Sequence, residues 1–62
     1  GNARYWLGQY QRAIQDFNKA IQLDPGEGEF YYWRSKAYRK LGQHAKADAD
    51  KAKACSLKSS LC

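Results

Sequence analysis

The chain has no methionine, one proline, one histidine and two cysteines among its 62 residues. It lacks an apolar run of the roughly 18 residues that a membrane-spanning helix requires, so we expect no membrane partner. It begins at Gly1, partway through a repeated pattern and without a segment typical of a signal peptide. We therefore interpret it as a fragment of a longer protein, for which a cytoplasmic location is only the default.

Residues that could carry chemistry are equally scarce. His44 has two cysteines as its only candidate companions, and their seven-residue spacing does not fit a zinc site. No serine lies in a nucleophile motif and no glycine-rich loop could hold phosphate. Asp48 and Asp50 would point about 200° apart on a helix, so they cannot form a carboxylate pair. We predict that the chain is not an enzyme and holds no metal or cofactor.

Both cysteines, Cys55 and Cys62, lie at the C-terminal end, where two residues cannot make a disulfide framework. A bridge between them would need the last helical turn to unwind, because disulfide-linked Cα atoms usually lie within about 7 Å. We therefore expect residues 58–62 to form a flexible tail, from which Cys62 could bridge to a second molecule in oxidising buffer.

The main feature that the sequence does contain is an internal repeat. Leu7-Gly8-Gln9 returns as Leu41-Gly42-Gln43, and an overlay at this offset of 34 residues gives nine identities in 28 aligned pairs. Most of the identical residues are small or apolar, and one is a glycine at a turn. This period is typical of helix-turn-helix units that stack side by side into an array.

Proline and glycine divide the chain into helices. An amphipathic stripe predicts a helix over 10–23, which ends at Asp24-Pro25-Gly26. Further helices are predicted over 29–41, where Gly42 ends the helix, and over the alanine-rich segment 45–56. The side chains that we expect inside are Ala13, Phe17, Ala20, Ala37, Tyr38 and Leu41.

These segments resemble the tetratricopeptide repeat. The run from Tyr31 to Gly42 is similar to the first helix of the repeat, with the family's aromatic, small and tyrosine positions at Tyr31, Ser35 and Tyr38. The run from Tyr10 to Pro25 is similar to the second helix, and the matching positions are Ala13, Phe17, Ala20 and Pro25. A coiled coil would not place glycine and proline breaks at a fixed period.

The resemblance implies an all-α fold of antiparallel helix-turn-helix repeats, a fragment of an α–α superhelix. We expect a repeat domain over 1–57, with a truncated repeat at 1–25 and a second repeat at 26–57, followed by the tail 58–62. Because Asp48 and Lys51 replace Ile14 and Phe17 of the first repeat, we expect the last helix to have a polar outer face that ends the array.

The truncated first helix predicts self-association. With most of that helix missing, Ala13, Ile14 and Phe17 should be poorly covered, and exposed apolar surface on a small protein usually marks an association site. We therefore expect the chain to pair with another copy through its N-terminal side.

In tetratricopeptide repeats the first helices line the groove that holds a partner peptide. The face of the second repeat that this resemblance assigns to the groove combines aromatic and basic side chains, joined by the residues at equivalent positions upstream. The predicted partner-binding residues are Asn2, Tyr5, Glu29, Tyr32, Trp33, Lys36, Arg39 and Lys40, with Trp6 beside them. Alternatively, Trp6 and Trp33 pack one repeat against the next.

Charge is divided unevenly between the halves of the chain. Residues 1–30 carry three Lys or Arg and four Asp or Glu (3 − 4 = −1), whereas residues 31–62 carry eight and two (8 − 2 = +6). The favoured partner is therefore an acidic protein or peptide segment, and RNA or another polyanion is the alternative. The same charges would also suit a solvated helix surface without a ligand. Of the family positions that hold chaperone-tail carboxylates, only Asn2 matches.

Overall fold

The computed structural model describes the backbone of residues 2–62 and the side chains of residues 4–62. Within this part the chain forms four α-helices: α1 (Asn2–Trp6), α2 (Tyr10–Leu23), α3 (Gly28–Lys40) and α4 (His44–Leu57). A short 3₁₀ helix, Ser59–Leu61, follows, and the described residues contain no strand. The predicted all-α fold is confirmed, and the bounds of α2, α3 and α4 differ from the predicted ones by at most one residue.

Two glycine turns set the repeat. Gly8 and Gly42 have φ angles of 81° and 80°, a left-handed conformation that glycine adopts without steric cost. At each turn the following glutamine donates its N–H to a carbonyl five residues back, Gln9 to Arg4 at 2.8 Å and Gln43 to Tyr38 at 2.9 Å. A bond of this span is the longer of the two hydrogen bonds that define the Schellman motif at the end of a helix. The sequence identity at an offset of 34 residues thus corresponds to the same backbone geometry at both turns.

The helices pack in chain order, α1 on α2, α2 on α3 and α3 on α4. The buried apolar side chains come from three of them: Ala13, Ile14, Phe17, Ala37, Ala47 and Ala54. Most are alanines, which allow the helix backbones to approach closely. Of the expected interior residues, Ala20, Tyr38 and Leu41 are only half-buried.

The expectation that the first buried stripe would be poorly covered is wrong. Ala13, Ile14 and Phe17 are 0%, 8% and 4% exposed, respectively. The physical reason is that α2 packs against α3 on one side and against the short α1 on the other. Self-association was predicted because these three residues were expected to be exposed, and their burial removes that reason. Trp6, Leu7 and Leu23 are nevertheless exposed.

The C-terminal segment also departs from expectation. Cys55 and Cys62 form a disulfide with their Cα atoms 4.8 Å apart, and α4 nevertheless remains helical as far as Leu57. The chain is extended at Lys58 (φ −150°, ψ 107°) and then turns through the 3₁₀ helix, which returns Cys62 to the side of α4. The prediction that a bridge would unwind the helix is thus wrong, and the disulfide holds residues 58–62, expected as a flexible tail, beside α4.

None of the helices in the part of the chain that the structure describes combines the length and hydrophobicity needed to cross a membrane.

Candidate partner-binding site

A cluster of aromatic rings joins α1 to α3. The ring of Trp33 lies edge-on to two rings of α1, with centroids 5.6 Å from Tyr5 and 6.3 Å from Trp6. Tyr5 and Trp6 also contact each other at 5.2 Å, and Tyr32 contacts Trp33 at 6.2 Å. Edge-to-face pairs at these distances are favourable beyond the area that they bury. These four residues with Lys36 are called the aromatic face below.

Lys36 lies over this cluster. Its Nζ atom is 4.9 Å from the centroid of Tyr32 and 4.9 Å from that of Trp33, within the range of cation–π attraction. It is the only lysine among the described residues that is half-buried, all the others being exposed. No carboxylate of the described residues forms an ion pair with it. A partly desolvated cation between two rings, without an anion, can still accept one.

The two tryptophans differ in their surroundings. Trp33 is half-buried and contacts rings of the preceding helix pair, so it packs between the repeats, as the alternative interpretation proposed. Trp6 is 73% exposed, and most of its surface stays in contact with solvent even though its edge meets Trp33.

The remaining predicted residues lie apart from the cluster. Glu29 accepts a hydrogen bond from Lys58 Nζ at 2.9 Å, which ties it to the C-terminal segment. Arg39 pairs with Asp48 of α4 at 3.5 Å, an exposed and long ion pair. Lys40 is exposed at the end of α3. The side chain of Asn2 lies outside the described residues, so its predicted role has no structural counterpart.

An ion pair inside the second hairpin was not expected from the sequence. Arg34 Nε and Nη2 donate to the two carboxylate oxygens of Asp50 at 2.7 and 2.6 Å, and Nη1 donates to Asn18 Oδ1 at 2.8 Å. The guanidinium also lies over the rings of Tyr31 and Tyr38. The hydrogen bonds to Asp50 raise the pKa of Arg34 above its usual value. This network connects α2, α3 and α4, and its role is structural.

A signal for this network was present in the sequence. Asp16 and Asp50 are one of the nine identical pairs of the repeat, although a charged residue has no packing reason to be kept. In the first hairpin Asp16 also pairs with an arginine, Arg4, at 3.1 Å and with much greater exposure. The same position of the two repeats thus holds an aspartate, and in each repeat this aspartate forms an ion pair between the two helices of the hairpin.

Together, the stacked hairpins and their aromatic face define an all-helical repeat scaffold. A family model described as TPR repeat matches residues 1–42, and a second, described as tetratricopeptide repeat, matches residues 28–61. The chain belongs to the tetratricopeptide-repeat family. Repeats of this family generally mediate protein–protein interaction and are of a non-catalytic scaffold type. No solved structure matches the chain.

Proposed function

We propose that the chain binds an extended acidic segment of a partner protein on the aromatic face. The observation that carries the proposal is the position of Lys36, which lies half-buried between two rings and has no carboxylate partner among the described residues. A lysine held in this way has already lost part of its freedom and hydration, so a partner carboxylate gains more there than at a mobile surface lysine. The ring edges offer apolar contact beside that charge.

The spacing of cations along α3 supports an extended ligand. Lys36 and Lys40 are one helical turn apart, which separates them by about 6 Å along the axis. Side chains two residues apart on an extended peptide point the same way and are separated by about 6.6 Å. A segment with carboxylates at such a spacing could therefore engage both lysines. An apolar residue two positions beyond the acidic pair points to the same side and would contact the open surface of Trp6.

The test uses an acetylated and amidated octapeptide, EDLEDLED, with its uncharged counterpart QNLQNLQN as the control ligand. Binding is measured by calorimetry on the wild type, on Lys36→Gln and on Lys53→Gln. Lys53 is an exposed lysine of α4, so the two variants have the same net charge and differ only in the position of the positive charge that is lost. We expect Lys36→Gln to weaken binding of the acidic peptide about fivefold or more, which corresponds to ~1 kcal/mol. Lys53→Gln should change it less than about twofold.

Two other outcomes of the same titrations would contradict the proposal. Equal losses in the two variants, with a steep salt dependence and equal affinity for single-stranded RNA, would favour the polyanion-binding alternative. That alternative draws support from the exposed lysines of α4, Lys46, Lys51 and Lys53. Absence of measurable binding to EDLEDLED, or equal binding of QNLQNLQN, would refute an acidic-segment site.

A further inference from the structure

The C-terminal segment 58–62 folds back over the start of α3. Gly28 is buried there, and a Cβ placed on it would lie 3.3 Å from Leu61 Cδ1, 3.2 Å from Leu57 Cβ and 3.1 Å from the carbonyl oxygen of Ala54. Leu61 is correspondingly half-buried. Glycine at position 28 therefore allows both the end of α4, at Ala54 and Leu57, and Leu61 of the segment to lie directly against the α3 backbone.

Apart from the contact of Leu61 with Gly28, the non-covalent contacts of this segment are weak. The Lys58–Glu29 bond joins side chains that are 50% and 51% exposed, and an ion pair with that exposure contributes little. The 3₁₀ helix is three residues long, and its two serines are exposed. Fixing the backbone of five residues costs more conformational entropy than such contacts offset. The covalent link between Cys55 and Cys62 is what makes the folded-back position stable.

We propose that the Cys55–Cys62 disulfide acts as a redox switch, which holds segment 58–62 against α3 only while it is oxidised. In the disulfide form, Leu61 of segment 58–62 lies against Gly28, and Lys58 stays paired with Glu29. In the dithiol form the segment leaves α3, which removes Leu61 from Gly28 and frees the carboxylate of Glu29. Helices α2 to α4 stay folded in both forms, because none of the buried core residues belongs to the segment.

The reaction partner is a protein or small-molecule dithiol. Its thiolate attacks Cys62 Sγ, since Cys62 is exposed whereas Cys55 is half-buried. The bond between the two sulfurs breaks, and Cys55 leaves as a thiolate that takes up a proton. The second thiol of the reductant then displaces Cys62 from the mixed disulfide. Two electrons and two protons pass to the protein, and the reductant ends as a disulfide.

The redox switch is tested by nuclear magnetic resonance of the air-oxidised chain and of the same chain in excess dithiothreitol. In the oxidised form the amides of Leu61 and Cys62 donate to Lys58 O and Ser59 O at 2.9 and 3.1 Å. On reduction we expect these two amides to exchange at least about tenfold faster. The Overhauser contact between the Leu61 methyl groups and Gly28 should disappear, while the signals of Ala37 stay in place.

Two variants make the result decisive. Cys62→Ser should resemble the reduced chain under both conditions and should not respond to dithiothreitol. Lys58→Ala keeps the disulfide, so it should retain the Leu61–Gly28 contact while oxidised. The proposal is overturned if the contact persists in the reduced chain, if reduction unfolds α2 to α4, or if thiol titration finds free thiols after air oxidation.

Discussion

Replacing Asp50 by asparagine should destabilise the fold far more than the same change at Asp48. The two carboxylates lie two residues apart on α4 and each pairs with an arginine of α3. The Asp50 side chain is 10% exposed and its partner Arg34 is 19% exposed, whereas the values for Asp48 and Arg39 are 76% and 50%. The Asp50 pair is also bidentate, with contacts of 2.6 and 2.7 Å, against one contact of 3.5 Å for Asp48.

The magnitude follows from burial. Removing one partner of a buried ion pair costs about 3–5 kcal/mol, and exposed pairs are worth about 0–1 kcal/mol. Because Arg34 would keep Asn18 and two rings as neighbours, we expect about 2–4 kcal/mol for Asp50→Asn. An asparagine offers one acceptor oxygen and turns an amide donor towards the guanidinium, so it cannot restore the pair. Asp48→Asn should cost less than about 0.5 kcal/mol.

The assay is thermal unfolding of the oxidised chain, followed by circular dichroism at neutral pH. A domain of this size is expected to have only about 3–9 kcal/mol of total stability. A loss of 1 kcal/mol lowers the melting temperature by about 4–8 °C, so Asp50→Asn should melt about 10–30 °C lower. Similar melting temperatures for Asp50→Asn and Asp48→Asn would refute the reasoning, since burial and geometry would then have no effect on the energy of the pair.

Three further changes test other parts of the fold. Phe17→Ala should cost about 3–5 kcal/mol in chemical denaturation, because its ring is 4% exposed; a loss below 1 kcal/mol would contradict its place in the core. Gly42→Ala should cost about 1–2 kcal/mol through its positive φ, while Gly26→Ala, at an open position without positive φ, should be close to neutral. The bond to Glu29 raises the pKa of Lys58, so the pair contributes at neutral pH and is lost as the pH rises past that raised pKa. The melting temperatures of Lys58→Ala and wild type should therefore converge in strongly alkaline buffer, and a constant difference would argue against the pair.

The helices could be predicted because their signals are local and repeated. A stripe such as Ala13, Ile14 and Phe17 fixes which face is buried, and Gly42 marks the end of a helix within the sequence itself. The offset of 34 residues supplies each signal twice, which is why the helix bounds agree so closely. The identity of the family follows from the same local pattern.

The features that were missed depend on the path of the chain in space. Arg34 and Asp50 lie 16 residues apart, and periodicity assigns charged residues to the outside unless the position of a partner is known. The disulfide depends on the backbone angles of Lys58 and on the 3₁₀ turn that follows it, which composition does not encode. The coverage of Phe17 depends on how closely α3 approaches α2, and the truncated first helix gave no indication of that distance.

The candidate site was predictable in its residue types and only partly in its arrangement. Helical spacing correctly placed Tyr32, Trp33 and Lys36 close to one another, and the repeat offset placed Tyr5 on the equivalent helix. Spacing could not show that Glu29 turns to Lys58, since that partner lies on a segment that was expected to be free.

The assignment of partner binding to the aromatic face is tested most directly by titrating ¹⁵N-labelled protein with EDLEDLED. The two indole N–H signals report on the face itself, and the backbone amide of Lys53 reports on the exposed side of α4. We predict that the indole signals of Trp6 and Trp33 and the backbone amide of Lys36 shift progressively and saturate, while Lys53 moves little. Shifts confined to α4, or indole signals that do not move at saturating peptide, would contradict the assignment.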